Sequence, residues 1–170
     1  EAQVDRFMLK ILVGYPEHDE ELTVVQRSLV APPELRRVLE LERLHELQAH
    51  TAAVYVDPGI VSYTVQLATA TRAPATYGLA ELAPFISYGA SPRGPISLVQ
   101  SARALAFLRG RDYVIAQDVE ALAKDALRHR LVLSYQALAE QVDADRILDA
   151  VLAKVSAPEL DLGRRETTAA

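Results

Sequence analysis

The sequence contains no cysteine and no tryptophan, and only 6% of its 170 residues are aromatic. Without cysteine there is no disulfide and no thiolate chemistry, which fits a reducing compartment, so we expect a cytoplasmic protein. So few aromatic residues are atypical of a β-sandwich and favour a helical protein built from leucine, alanine and valine. No apolar run approaches the roughly 20 residues that a membrane-spanning helix needs.

Charge and motifs exclude further classes. A net charge of −5 argues against a nucleic-acid-binding surface. None of the seven glycines is followed by lysine, so the phosphate-binding loop G-x-x-x-x-G-K-[ST] is missing, and the four histidines lack the spacing of metal ligands. "GASPR" at 89–93 is a near match to the nucleophile elbow G-x-S-x-G, but Pro92 lacks the N–H that an oxyanion hole needs, which argues against a serine hydrolase.

Apolar periodicity and capping residues predict a mostly α-helical fold. Asp57 and Pro58 are typical of an N-cap and first helical residue, and the helix that follows has an apolar face at 60, 63, 64, 67, 68 and 71. We predict further helices over about 17–29, 35–53, 93–109, 116–129 and 143–155, with an interruption of the second near Val38 left open. A strand-like run, Phe7 to Val13, precedes them, and residues 156–170 are predicted to be a flexible tail.

One helix start is electrostatically unusual. Ser91 and Pro92 are typical of an N-cap and first helical residue, which puts Arg93 in the first turn, where the helix dipole disfavours a cation. The predicted apolar face of this helix is Ile96, Val99, Ala102 and Ala106, with Leu98 and Leu105 beside it. Both Arg93 and the free backbone N–H groups of the first turn would favour a bound anion.

Three stretches then resemble the C-terminal portion of MoxR-type AAA+ ATPases: "EAQVDRF" (1–7), "GASPRGPISLVQSARALAFLRGRDYV" (89–114) and "DVEALAKDALRHRLVLSY" (118–135). The resemblance implies that residues 1–16 are the end of an αβα ATPase core, with its last strand, and that residues 17–155 are a helical lid. ATP and Mg²⁺ would be bound mainly by the rest of that core. We therefore expect this chain to be a fragment of a longer protein, inactive alone.

The resemblance also implies roles for two arginines. Arg93 matches the second sensor, which reaches the γ-phosphate of the subunit's own ATP, and Arg6 in "DRF" matches the arginine finger, which acts on the neighbouring subunit's ATP. A guanidinium suits both tasks, being permanently charged and forked. Asp5 could instead be a local partner of Arg6. The basic cluster at 128–130 needs only the helix dipole to explain it.

Partners follow from the same resemblance. It implies a ring, commonly a hexamer, that couples ATP hydrolysis to chaperone-like remodelling or to metal- or cofactor-dependent maturation of client proteins, together with a von Willebrand factor A-domain protein. Two alternatives stay open: the lid of another AAA+ branch, magnesium-chelatase-like or helicase-like, and a helical module for protein interaction or DNA binding. We expect residues 1–16 to be poorly ordered or to borrow a partner, because an unpaired apolar strand leaves an exposed edge.

Overall fold

The fold is a bundle of helices with a very small sheet, and the computed structural model describes residues 3–159 of it. The helices are α1 (His18–Ser28), α2 (Leu41–Ala53), α3 (Pro58–Arg72), α4 (Arg93–Leu108), α5 (Ala116–Leu127), α6 (Tyr135–Ala139) and α7 (Ala144–Lys154). Short 3₁₀ turns lie at Val4–Arg6, Pro74–Tyr77, Ala80–Phe85 and Arg128–Arg130. Strand β1 (Ile86–Tyr88) pairs antiparallel with β2 (Val132–Leu133). The predicted mostly α-helical fold is confirmed. Within residues 3–159, every helix is too short or too polar to span a bilayer.

The core lies where α3, α4, α5 and α7 pack together. Helix α3 begins as predicted, with the Asp57 carboxylate accepting the Gly59 N–H at 2.7 Å and Pro58 as the first helical residue. Its predicted face at 60, 63, 64, 67, 68 and 71 is buried throughout. Helix α7 begins at its predicted cap, where Asp143 accepts the Arg146 N–H at 2.8 Å. Further core side chains are Leu98, Val119, Ala123, Leu127, Ile147, Leu148 and Val151.

The buried face of α4 matches the predicted one at Leu98, Ala102 and Ala106 but not at its start. Ile96 is 55% exposed, and the buried residues are Gly94, Pro95, Ser97, Leu98, Ser101, Ala102 and Ala106. The reason is close packing against α5, since a Cβ added at Gly94 would lie 2.8 Å from Leu127 Cδ2. Small side chains let the two helices approach, so packing density and not hydrophobicity alone decides which face points inward.

Helix α2 begins six residues later than the predicted Leu35, at Leu41. Leu35 and Val38 fit the helical spacing, yet they are 97% and 95% exposed. Most helical stability in proteins comes from packing an apolar face. No described part of the chain covers Leu35 and Val38, so this segment gains nothing by becoming helical. Consistent with this, neither α1 nor α2 contains a buried residue.

The predicted strand at Phe7–Val13 is wrong. Residues 9–17 have no regular secondary structure, and β1 and β2 are the strands within residues 3–159. A strand needs a neighbouring ladder of backbone hydrogen bonds, whereas here the Lys10 N–H donates at 2.8 Å to the carbonyl of Asp125 at the end of α5. In the predicted tail, 156–159 lack regular structure and 160–170 lie outside the described residues.

A buried carboxylate joins the end of α4 to the start of α5. The Asp118 side chain has no solvent exposure and accepts hydrogen bonds from Arg111 at 2.5 and 2.7 Å and from Arg109 at 3.0 Å. It also accepts the Ile115 N–H at 3.1 Å. Burial alone would raise the pKa of this carboxyl, but the Arg111 hydrogen bonds, the Ile115 N–H and the two arginine charges outweigh it, and the pKa lies below its ordinary value.

Replacing Asp118 with asparagine should lower the free energy of unfolding by about 1.5–3 kcal/mol at pH 7, the range for hydrogen bonds to charged groups. Because folding lowers the pKa of Asp118, its contribution is complete above the unfolded pKa of about 4 and is lost as the pH falls below it. Urea denaturation from pH 7 to pH 3 should therefore show the gap between wild type and Asp118→Asn closing in acid. Asp149→Asn is the control: it removes the same charge from a carboxylate that is 61% exposed, and should change stability little. Equal stability of wild type and Asp118→Asn at pH 7 would contradict the assignment.

Candidate functional site

The start of α4 is fixed against the end of α3. A Cβ added at Gly89 would lie 2.5 Å from the backbone carbon and oxygen of Thr71, so only glycine fits there without movement. The next residue, Ala90, is fully buried, and its N–H donates to the Thr71 hydroxyl at 2.9 Å. The first half of "GASPR" therefore positions the residues that follow it.

The hydroxyl of Ser91 makes the predicted capping contact, although the helix itself begins at Arg93 and not at Pro92. Ser91 Oγ accepts the Arg93 N–H at 3.2 Å, and the Ser91 carbonyl accepts the Gly94 N–H at 2.9 Å. Proline has no N–H at 92 or 95. The expectation of free N–H groups for an anion is therefore wrong, because the first turn has already used them.

The guanidinium of Arg93 is what remains available to an anion at this helix end. Its side chain is 56% exposed, and its ion pair is with Asp5, at 3.5 Å from Nη1 to Oδ2. Asp5 comes from the 3₁₀ turn Val4–Arg6, far away in sequence. A carboxylate from another segment thus supplies the negative charge that the positive end of the helix favours.

Asp5 is held more tightly by two other groups. Ser91 Oγ donates to its two carboxylate oxygens at 3.0 and 2.9 Å, and Arg130 Nε lies 3.2 Å from Oδ1. Asp5 is therefore not a local partner of Arg6. The Arg6 side chain is exposed and makes no hydrogen bond or ion pair with any residue of the described part of the chain.

Arg130 is the centre of this arrangement. Its side chain is 1% exposed, and it donates to the carbonyls of Asp5 at 3.2 Å, Phe7 at 2.7 Å and Met8 at 3.2 Å. It also donates to Ser97 Oγ of α4 at 3.0 Å and to the Ala126 carbonyl of α5. Burial lowers the pKa of this guanidinium and Asp5 opposes the shift, but arginine stays charged in proteins. One buried cation thus fixes the segment that carries Arg6 to α4 and α5.

The two residues before Arg130 extend the same contact. Arg128 Nη1 donates to the Lys10 carbonyl at 2.7 Å, and His129 Nε2 lies 3.0 Å from the Phe7 carbonyl. Arg128 is itself held by Asp145 of α7, with Nε 2.9 Å from Oδ1. The helix dipole, which suffices to explain this basic cluster from the sequence, is therefore only part of its role. The cluster binds the backbone of residues 5–10.

The structure pairs Arg93 with Asp5 and leaves the side chain of the next residue, Arg6, in solvent. Two exposed guanidinium groups on one small region can each meet a phosphate, since both are permanently charged forks. Within residues 3–159 there is no cluster of three His, Asp or Glu side chains able to hold a metal ion.

Comparison with known proteins identifies the helical part of the chain. The family model described as the AAA lid domain matches residues 80–151, which include α4, α5, α6 and most of α7. A crystal structure of a candidate ATPase from Cytophaga hutchinsonii superposes with a TM-score of 0.87 at 36% identity, over 93% of this chain and 48% of that one. A helical AAA lid, bearing an arginine in the first turn of one helix, is thus the class of protein that the fold and site define.

Relatives of known sequence narrow the class. Chaperone MoxR1 of Mycobacterium tuberculosis is 42% identical over 161 residues, 95% of this chain and 43% of that protein. Protein MoxR of Paracoccus denitrificans is 32% identical over 92% of this chain and 50% of its own length. The chain corresponds to the C-terminal portion of MoxR-type AAA+ ATPases. It spans about half the length of the curated relatives it matches.

Gly89→Ala should destabilise the chain by about 1–3 kcal/mol, the cost of forcing an extra carbon into packed structure. The new Cβ meets the backbone of Thr71 and Arg72, which cannot rotate away as a side chain can. Gly14→Ala is the matched control, because nothing lies within 4 Å of a Cβ there. Thermal unfolding of both variants measures the difference, and an equal melting temperature for the two would show that the α3–α4 contact is looser than described.

Proposed function

We propose that this chain is the lid of an ATPase in which Arg93 senses the subunit's own ATP and Arg6 acts on the ATP of the neighbouring subunit. The observation that carries the proposal is the exposed Arg93 guanidinium at a rigid helix start, with one long ion pair at 3.5 Å. A γ-phosphate carries more charge than a carboxylate and offers oxygens to both arms of the guanidinium, so it can replace Asp5 as the partner of Arg93.

Arg6 supports the second half of the proposal. Its side chain leaves the surface of the lid unpaired by any described residue, although the backbone on both sides of it is fixed by Arg130. An arginine finger needs this combination of a fixed base and a free guanidinium. Stabilising the charge of phosphoryl transfer by such a finger is worth about 10³ to 10⁵ in rate.

The wider assignment is part of the same proposal. We place the P-loop and the Mg²⁺ ligands in the nucleotide-binding core joined to this lid, and we expect a ring, commonly hexameric, in the cytoplasm. The name of the mycobacterial relative, a chaperone, supports remodelling or maturation of client proteins as the use of ATP hydrolysis. A von Willebrand factor A-domain protein is the partner to test first. The lid alone should not hydrolyse ATP, because most groups that bind phosphate lie in the core.

The test is ATP turnover by the intact ATPase, with Arg6→Ala and Arg93→Ala assayed alone and in rings mixed with subunits whose P-loop lysine is replaced. Either substitution alone should lower kcat, by about 10³-fold or more for Arg6→Ala. Mixed rings should recover activity with Arg6→Ala, since an intact nucleotide site then meets an intact finger. Mixed rings with Arg93→Ala should recover none, because both defects then lie in the sites that each subunit builds for itself.

The control is Arg43→Ala, which removes an arginine that is 57% exposed on α2 and is paired, within residues 3–159, with Glu46. It should leave turnover unchanged. If wild type turns over ATP and neither Arg6→Ala nor Arg93→Ala lowers the rate, the assigned site is wrong. If wild type itself is inert, the chain is a helical interaction module that no longer serves an ATPase.

A further inference from the structure

We propose that Asp5 is a positioning residue, which fixes the direction of the neighbouring Arg6 by anchoring its turn to the lid. This inference rests on the proposed function, because a direction for Arg6 matters only if Arg6 acts on a neighbouring nucleotide. Neither the resemblance nor the relatives assign Asp5 a role.

The geometry of the turn is the first argument. Val4–Arg6 forms a 3₁₀ turn, in which consecutive side chains point about 120° apart. The Asp5 side chain faces the lid and is 23% exposed. The Arg6 side chain, a third of a turn further on, is exposed. Rotating Asp5 off the lid would swing Arg6 with it, since the two residues share one short turn.

The strength of the anchors is the second argument. Ser91 Oγ donates to both oxygens of Asp5 at 2.9–3.0 Å, and Arg130, whose side chain is 1% exposed, pairs with Asp5 through Nε at 3.2 Å. Arg130 also binds the Asp5 carbonyl at 3.2 Å. Both anchors are themselves tied to α4. Arg130 donates a hydrogen bond to Ser97 Oγ, and Ser91 Oγ accepts the Arg93 N–H.

The third contact of Asp5, its ion pair with Arg93, is the longest of the three. Arg93 lies 3.5 Å from Asp5 Oδ2 and is 56% exposed, so it can leave for a phosphate without freeing Asp5 from Ser91 and Arg130. The anchoring of Arg6 therefore survives the step in which Arg93 binds nucleotide. Loss of the Asp5 charge should consequently harm the finger, which acts on the neighbour, more than the sensor, which acts within the subunit.

The experiment is Asp5→Asn in the intact ATPase. Misplacing a catalytic group by about 1 Å costs up to about 100-fold, so kcat should fall by about 10- to 100-fold with little change in the KM for ATP. In rings mixed with P-loop-lysine variants, Asp5→Asn should recover activity as Arg6→Ala does. Asp149→Asn, which removes an equal charge from the exposed partner of Lys124, is the control and should behave as wild type.

A second variant covers a failure of Asp5→Asn to fold. Ser91→Ala keeps every charge but removes the hydroxyl that holds both carboxylate oxygens, and it should give a smaller loss of kcat. Because the same hydroxyl accepts the Arg93 N–H, mixed rings are the deciding readout, and the part of the loss that arises at Arg6 should recover there. Hydrogen exchange at the Phe7 and Lys10 amides, bonded to Val4 and Asp125 carbonyls, should speed up in either variant while the α3 amides stay protected.

The outcomes are distinguishable from those of the proposed function. If Arg6→Ala recovers in mixed rings while folded Asp5→Asn does not, Asp5 acts within its own subunit through Arg93, and the positioning role for Arg6 is overturned. An unchanged kcat in both Asp5→Asn and Ser91→Ala overturns it as well. If Arg6→Ala itself has no effect, the proposed function fails first, and this inference fails with it.

Discussion

The burial of one guanidinium, that of Arg130, determines how the first described residues meet the helical bundle. A buried arginine must find acceptors for its N–H groups or lose several kcal/mol of solvation. Arg130 finds them in the carbonyls of Asp5, Phe7 and Met8 and in the Ser97 hydroxyl, and the Asp5 carboxylate balances its charge as an ion pair. The carbonyls of residues 5–8 thus accept the hydrogen bonds of the buried Arg130. Because two of these carbonyls flank Arg6, the same hydrogen bonds fix the backbone position of Arg6.

The sequence predicted well wherever structure depends on local chemistry. The caps at Asp57 and Asp143 and the buried face of α3 follow from spacing and hydrogen-bonding capacity alone. The sequence predicted poorly wherever a segment's structure depends on a partner that is distant in the chain. Leu35 and Val38 have helical spacing but no described surface to cover them, and the Phe7–Val13 run has strand-forming residues but binds side chains and not a neighbouring strand. Apolar periodicity is a property of one segment, whereas the structure that the segment adopts also depends on the residues that pack against it.

In the candidate site, too, one residue could be predicted from the sequence and another could not. Arg93 was detectable because an arginine in a helix's first turn is electrostatically unfavourable, and its motif resembles a known family. Arg130 carries no such signal, since basic residues at a helix end are what the dipole favours. Only the folded chain shows that this arginine is buried and that Asp5 lies between it and Arg93. A salt bridge between residues 125 positions apart cannot be inferred from one sequence.

The absence of free N–H groups in the first turn of α4 has a consequence for speed. Ser91 accepts the N–H groups of Arg93 and Gly94, and the two prolines have none, so this turn offers a ligand no backbone donor. Arg93 meets its partner through a solvent-exposed side chain alone, and such side chains change rotamer within picoseconds to nanoseconds. The Arg93 contact can therefore form and break without a change in the backbone of α4.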